Sequence, residues 1–203
     1  MYEILFIRIP KNASTTMHDA LGKFNVIESR KEEFFDEVLK SDYCQGIYDP
    51  THINLELAVE YLGEGILDIP SFCVCRHPMD RLLSAYKFCL QSNLLSLNGW
   101  RGWKFKTFAE YFCKTKDDPN FFQSRSQLFY ITYNGVPRID TIMRFEDLAV
   151  DYHIIKEDFN LPLPKLPHLN ATKHEDFENY YDDETEQMVR NAYEEDFKYF
   201  NYK

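Results

Sequence analysis

Three short runs of mostly apolar side chains punctuate the chain, at Tyr2–Ile9, Pro70–Cys75 and Ile139–Met143. Runs this short, rich in Ile, Val and Phe, predict buried strands. Tyr43–Tyr48 is a plausible further strand. Between these runs the apolar positions follow the helical period. The pattern predicts helices over Thr15–Leu21, Glu32–Lys40, Asn54–Leu62, Pro78–Leu90, Thr107–Lys114, Phe122–Ile131, Glu146–Asp158 and Asp183–Phe197. Phe34, Phe35, Val38 and Leu39 form the apolar face of the second helix. Asn54 suits an N-cap, and Pro78 falls in a first turn, where the missing N–H costs nothing. Residues 92–106 read as a loop, and Pro162, Pro164 and Pro167 mark a rigid crossing segment. Strands that are apolar throughout and alternate with helices predict an α/β fold, three-layer αβα with a central parallel sheet, as one domain over residues 1–203. Ligands of such sheets lie beyond the carboxyl ends of the strands.

Two predicted strand-to-helix turns carry anion-binding chemistry. The first is Ile9-Pro10-Lys11-Asn12-Ala13-Ser14-Thr15-Thr16. A helix that starts there exposes unpaired N–H groups and the positive end of its dipole. Lys11 adds a full charge, and the hydroxyls add donors. The loop is not a Walker A motif, because its glycines are missing and the lysine comes early. The second turn is Cys75-Arg76-His77-Pro78-Met79-Asp80-Arg81-Leu82-Leu83-Ser84. Arg76 offers a fork suited to phosphate, and Ser84 lies two turns into the helix. A plain structural pairing of Arg76 with Asp80 is the alternative reading.

Charge narrows the ligand. The chain carries a net charge of −10, which argues against a nucleic-acid partner. Residues 146–203 hold 15 acidic and 6 basic side chains, so an anionic ligand is expected on the remainder of the chain. The 5 cysteines form no framework spacing, and Cys73 and Cys75 sit in an apolar run. Reduced thiols in a cytoplasmic compartment are expected, with no metal site. MYEILFIRIPK has neither a charged leader region nor a long apolar core. No run of about 18 apolar residues occurs, so no membrane partner is expected.

Taken together, the two turns resemble those of the sulfotransferase superfamily that uses 3′-phosphoadenosine 5′-phosphosulfate (PAPS). The likeness extends to Met143-Arg144-Phe145-Glu146-Asp147-Leu148, to Leu166-Pro167-His168-Leu169-Asn170-Ala171-Thr172, to Tyr180-Tyr181-Asp182 and to residues 193–202. It points to the branch of Golgi carbohydrate sulfotransferases and their microbial relatives. The resemblance implies a P-loop NTPase-like sulfotransferase fold, PAPS as donor, adenosine 3′,5′-bisphosphate (PAP) as product and no metal. It implies that Lys11, Asn12, Ala13, Ser14, Thr15 and Thr16 bind the 5′-phosphosulfate, and that Arg76 and Ser84 bind the 3′-phosphate. By the same analogy Phe145 lies near the adenine and Lys173 contacts a donor phosphate. The loop departs from the family in reading Asn12-Ala13-Ser14 where glycine is common.

Sulfuryl transfer to a hydroxyl needs charge stabilisation on the leaving phosphate and a base for the acceptor proton. Lys11 suits the first role. His52, between a predicted strand end and a helix, suits the second, and the related enzymes carry a histidine at the matching place. His18, His77, His168 and His174 are the other histidines weighed. For the acceptor, a carbohydrate hydroxyl is expected. Trp100, Arg101 and Trp103 lie in the one locally basic, aromatic stretch, and Arg125 and Gln127 fall where related enzymes make polar contacts. A stand-alone microbial or viral enzyme is expected over a trimmed Golgi catalytic domain. The competing readings are a P-loop kinase-like phosphotransferase, which lacks its Walker lysine here, and a non-catalytic nucleotide-binding domain.

Overall fold

Serine 71 opens the central strand of the sheet, and every side chain from there to Cys75 is buried. The computed structural model describes residues 3–21, 24–30, 32, 36, 52–92, 102–118, 121–158, 164, 166 and 176–203. In chain order the elements are β1 (Leu5–Ile7), α1 (Ser14–Leu21), α2 (Val26–Ser29), α3 (Leu55–Leu62), β2 (Ser71–Cys75), α4 (Pro78–Gln91), α5 (Phe105–Lys114), α6 (Gln127–Ile131), β3 (Thr132–Tyr133), β4 (Val136–Pro137), β5 (Thr141–Arg144), α7 (Leu148–Asp158), α8 (Asp183–Ala192) and α9 (Glu194–Tyr199). Short 3₁₀ turns cover Glu64–Asp68, Phe122–Ser124, Phe145–Asp147 and Phe177–Tyr180.

The main sheet has the order β1-β2-β5, and both pairings are parallel. Alternation along the strands splits the core into two layers, as the two-residue period of a pleated strand requires. Leu5, Ile7, Cys73 and Cys75 point to a layer built with α3 and α6, including Ile53, Leu55, Ala58, Tyr130 and Ile131. Phe6, Phe72, Val74 and Met143 point the other way, against Met17 and Leu21 of α1 and Leu148, Tyr152 and Ile155 of α7. Phe6 and Phe72 are register partners, and their rings stack at 5.0 Å between centroids. The mixed α/β architecture, a parallel sheet flanked by helices, is the one the apolar pattern implies. A third cluster joins α4, α5, α8 and α9 through Leu82, Phe108, Phe112, Val189 and Phe197.

On the flank of β1 away from β2, Phe24 and Val26 bond the Ile4 backbone, and the Asn25 side chain continues the ladder. Asn25 accepts from the Phe6 N–H and donates to the Phe6 carbonyl, both at 3.2 Å. Its amide thus stands in for a neighbouring strand, and the same oxygen caps α2 at Ile27 N–H.

Several boundaries differ from the sequence reading. The closing helix expected over Asp183–Phe197 is two helices, broken at Tyr193 (φ −115°, ψ 28°). The break buries Tyr193 and Phe197 together in the third cluster. The helix expected from Phe122 begins only at Gln127, where Ser126 accepts from Phe129 N–H. A hairpin, β3–β4, follows it, turning on Asn134 (φ 50°) and Gly135 (φ 76°). Two consecutive positive φ values suit the turn that matches strand twist, and Asn-Gly is its commonest sequence. The apolar pattern alone passes over a ladder this short. The expected helix over residues 32–40, apart from Glu32 and Asp36, and the strand over 43–48 lie outside the described residues.

Phe72 is fully buried in the middle of the sheet. Phe72→Ala should lower unfolding stability by about 3–5 kcal/mol through lost burial and the cavity left behind. Urea denaturation measures this, and a loss under about 1 kcal/mol would contradict the packing described.

Candidate active site

Beyond the carboxyl end of β1 the chain turns sharply through Pro10–Ala13. Lys11 (φ 69°) and Ala13 (φ 56°) both adopt left-handed backbone, which disfavours any side chain bearing a Cβ. The loop holds this shape because its peptide groups are gripped from outside. Arg81, buried on α4, donates from Nε to the Pro10 carbonyl (3.0 Å), and from its other nitrogens to the carbonyls of Arg125 (2.8 Å) and Gln123 (3.0 Å). Asn12 is buried between the two left-handed residues. It donates from Nδ2 to the Val74 carbonyl (2.7 Å) and to Gln127 Oε1 (2.6 Å). Ser14 then opens α1, with Ser14 buried, Thr15 exposed and Thr16 half-buried. The first backbone N–H groups of this helix lack intrahelical partners by geometry.

Arg76 follows β2 directly and is 3% exposed. Its Nε donates to Asp80 Oδ2 at 2.8 Å, so the expected structural pairing is present. Its Nη1 donates to the Lys11 carbonyl at 3.1 Å, and its guanidinium lies 3.9 Å from the centre of the Phe145 ring. Nη2 is buried with no acceptor among the described residues. The two turns, 65 positions apart in sequence, therefore meet. Ser84 is half-buried on α4, at helical spacing from Asp80 and Phe88. The Lys11 ammonium stands 3.7 Å from the centre of the Phe88 ring. Burial depresses its pKa from 10.5 to about 8; the nearby Cys89 thiol opposes the drop and the Arg76 charge adds to it.

His52 lies at the same sheet end. Its Nδ1 is 2.7 Å from the Arg8 carbonyl. A carbonyl can only accept, so Nδ1 carries a proton, and in the neutral ring the lone pair is on Nε2. The ring also packs against Phe122 at 6.0 Å between centroids.

A desolvated lysine and a buried arginine nitrogen without an acceptor, brought together at the carboxyl edge of a parallel sheet, fit an anionic group. The family comparison decides which chemistry this serves. A family model described as "Sulfotransferase family" matches residues 1–203. The chain belongs to the sulfotransferase family. No curated protein and no solved structure gives a match.

The enzyme is thus a sulfotransferase, a family whose sulfuryl donor is in general PAPS. Among the described residues no group of three His, Cys, Asp or Glu side chains could hold a metal ion, and no helix is long and apolar enough to cross a membrane. The sulfotransferase does not gather all the residues named from sequence. Gln127 is fully buried and bonded to Asn12 and Arg76, so it cannot reach a bulky acceptor as a surface contact would. Trp103 is half-buried, its carbonyl accepting from Tyr86 Oη (3.1 Å) and its ring against Tyr111. The Arg125 guanidinium lies over Phe129 and lines a cleft of about 590 Å³ with Lys116, Asp117, Glu194 and Glu195. Trp100, Arg101, Lys173, His168 and His174 lie outside the described residues.

His77 is an aromatic-cage residue. Its ring stacks on Phe177 at 4.7 Å and meets Phe197 and Tyr202 edge-on. Burial holds its pKa below the usual histidine value. Its backbone N–H is capped by Glu146 Oε1 (2.8 Å), whose other oxygen accepts from Tyr202 Oη (2.9 Å). The Phe145-Glu146 step thereby supports the Arg76 turn with both residues. Sequence reasoning gave no role to Arg81 or Asp196. Asp196, fully buried, accepts from Gln127 N–H (2.8 Å) and Leu128 N–H (2.9 Å) and so caps α6. A charged residue inside an amphipathic helix carries no signal of this kind.

Two predictions follow from the loop. Ala13→Gly should raise unfolding stability by about 1 kcal/mol, because glycine carries no left-handed penalty. A loss of stability in urea would contradict the strained turn. For Lys11, the folded pKa lies below the unfolded one, so between pH about 8 and 10.5 the unfolded chain binds more protons. Stability of the free enzyme should therefore rise with pH over that window relative to Lys11→Met. A wild-type-minus-variant difference that stays constant from neutral pH to 10.5 would refute the depressed lysine.

Proposed function

We propose that this sulfotransferase transfers a sulfuryl group from PAPS to a hydroxyl, on a carbohydrate acceptor, with Lys11 and His52 as the catalytic pair. The observation that carries the reading is the convergence of the Lys11 loop and Arg76, joined by the bond from Arg76 Nη1 to the Lys11 carbonyl. The free Nη2 of Arg76 and the Ser84 hydroxyl hold the 3′-phosphate, and Phe145, already against Arg76, flanks the adenine. The N–H groups that open α1, with the Ser14, Thr15 and Thr16 hydroxyls and Lys11, hold the 5′-phosphosulfate. When bound, PAPS supplies the activated sulfuryl group.

The chain's own residues do the rest. Lys11, poorly solvated, meets the negative charge that develops on the leaving phosphate; in a dry site that interaction is stronger than in water. His52 Nε2 takes the acceptor proton, while the Arg8 carbonyl on Nδ1 fixes the tautomer and steadies the resulting imidazolium. The new S–O bond forms at the acceptor oxygen as the S–O bond to phosphate breaks. Trp103 and Arg125 remain candidates for acceptor contact, as do Trp100 and Arg101, and Lys173 for a donor phosphate. The placement of His52 on the Arg8 carbonyl favours turnover over a purely nucleotide-binding role.

His52→Ala should lower sulfate transfer by roughly 10²–10⁴-fold while leaving PAP affinity near wild type. Transfer of label from radiolabelled donor, beside calorimetry with PAP, measures both, and unchanged transfer removes His52 from the mechanism. Arg76→Ala should weaken PAP binding more than that of adenosine 5′-phosphosulfate, which has no 3′-phosphate. Equal loss for the two nucleotides would overturn the 3′-phosphate assignment.

A further inference from the structure

We propose that Gln127 is a positioning residue that holds the two halves of the donor site in register, an inference that rests on the donor-site reading given above. Three bonds of its side-chain amide run to the two turns. Oε1 accepts from Asn12 Nδ2 at 2.6 Å and from the Arg76 backbone N–H at 2.9 Å. Nε2 donates to the Arg76 carbonyl at 2.9 Å. The amide thus meets both backbone groups of Arg76 as a neighbouring strand would, just where β2 has run out of strand partners. The same oxygen reaches across to the residue between Lys11 and Ala13. One amide is keyed to the arginine at one end of the site and to the lysine loop at the other.

Gln127 is itself held. It is fully buried, and its backbone N–H and that of Leu128 donate to the two oxygens of Asp196. Its place at the start of α6 is therefore set by α9, a helix remote from either turn in sequence. An amide suits this post because it offers a donor and an acceptor side by side without charge. An apolar side chain of the same length would strand the Arg76 N–H, the Arg76 carbonyl and one Asn12 N–H in the interior. Relief of that strain would move Arg76 and the loop independently. Both ends of the donor would then lose contact, although Gln127 touches neither.

Calorimetry with PAP and steady-state transfer tests this on the full chain. Gln127→Met should weaken PAP binding by roughly tenfold or more, the scale of a buried unsatisfied polar group. It should raise the donor KM by more than it lowers kcat. Arg76→Ala is measured in parallel. If Arg76→Ala weakens PAP binding and folded Gln127→Met does not, the positioning role is overturned and the donor-site reading stands. If neither variant weakens it, the donor-site reading itself falls.

Gln127→Glu decides the case even where Gln127→Met does not fold. A protonated carboxyl keeps the donor and acceptor of the amide, and burial raises its pKa. Arg76, Arg81 and Asp196 surround it, and Asp196 couples to the new carboxyl, so the ratio of variant to wild type reads the ionisation of a carboxyl pair that wild type lacks. PAP affinity of Gln127→Glu should match wild type near pH 5.5. It should fall at least tenfold, relative to wild type, as that carboxyl ionises toward pH 8. A ratio that stays flat across this range overturns the inference.

Discussion

Backbone polar groups left without partners at the carboxyl edge of the sheet are the constraint that organises this protein. Strand pairing in the main sheet ends at Ile7 and Cys75, yet residues 8–10, Asn12 and Arg76 beyond are buried. Buried N–H and C=O groups must be satisfied, and here side chains from distant elements do it. Arg81 takes three carbonyls, Gln127 takes both groups of Arg76, and Glu146 takes the His77 N–H. The geometry at which the donor would be met is a by-product of solving that problem. The Pro10–Ala13 loop can keep two left-handed residues because neighbours over-determine its shape.

The same device recurs at the sheet's other flank. Asn25 completes Phe6 as Gln127 completes Arg76, each with one amide acting as a rung of a missing strand. Among the described residues the sheet has three parallel strands, and β2 is paired on both sides. The side-chain amides of Asn25 and Gln127 extend its backbone pairing beyond the strands themselves.

Electrostatics then divides the site by function. Arg76 is fixed by Asp80 and the Lys11 carbonyl, so its charge is anchored before any ligand arrives. Lys11 is the opposite case. Its ammonium rests on the Phe88 ring, and burial makes its proton loosely held. In the proposed reaction, a preset arginine serves a group that is only bound, and an under-solvated lysine a group on which charge changes.

The sequence by itself determined the layers. Apolar runs separated by helical periods dictate buried parallel strands, because only a sheet covered on both faces hides such runs. It also singled out Lys11 and Arg76, because cations at strand-to-helix turns stand out against apolar flanks, and His52 as a candidate base. What it could not determine was which polar residues face inward to other polar groups. Gln127 looks like a surface contact in a linear reading, and Asp196 and Arg81 look like solvated helix positions. Their partners lie far off in the sequence, for instance 51 positions between Gln127 and Arg76 and 71 between Arg81 and Pro10. Only the packing of α6 and α9 against the end of β2 brings them together. Hydrophobic period is a local property of a chain, whereas polar satisfaction is a property of the assembled interior, and the fold alone decides it.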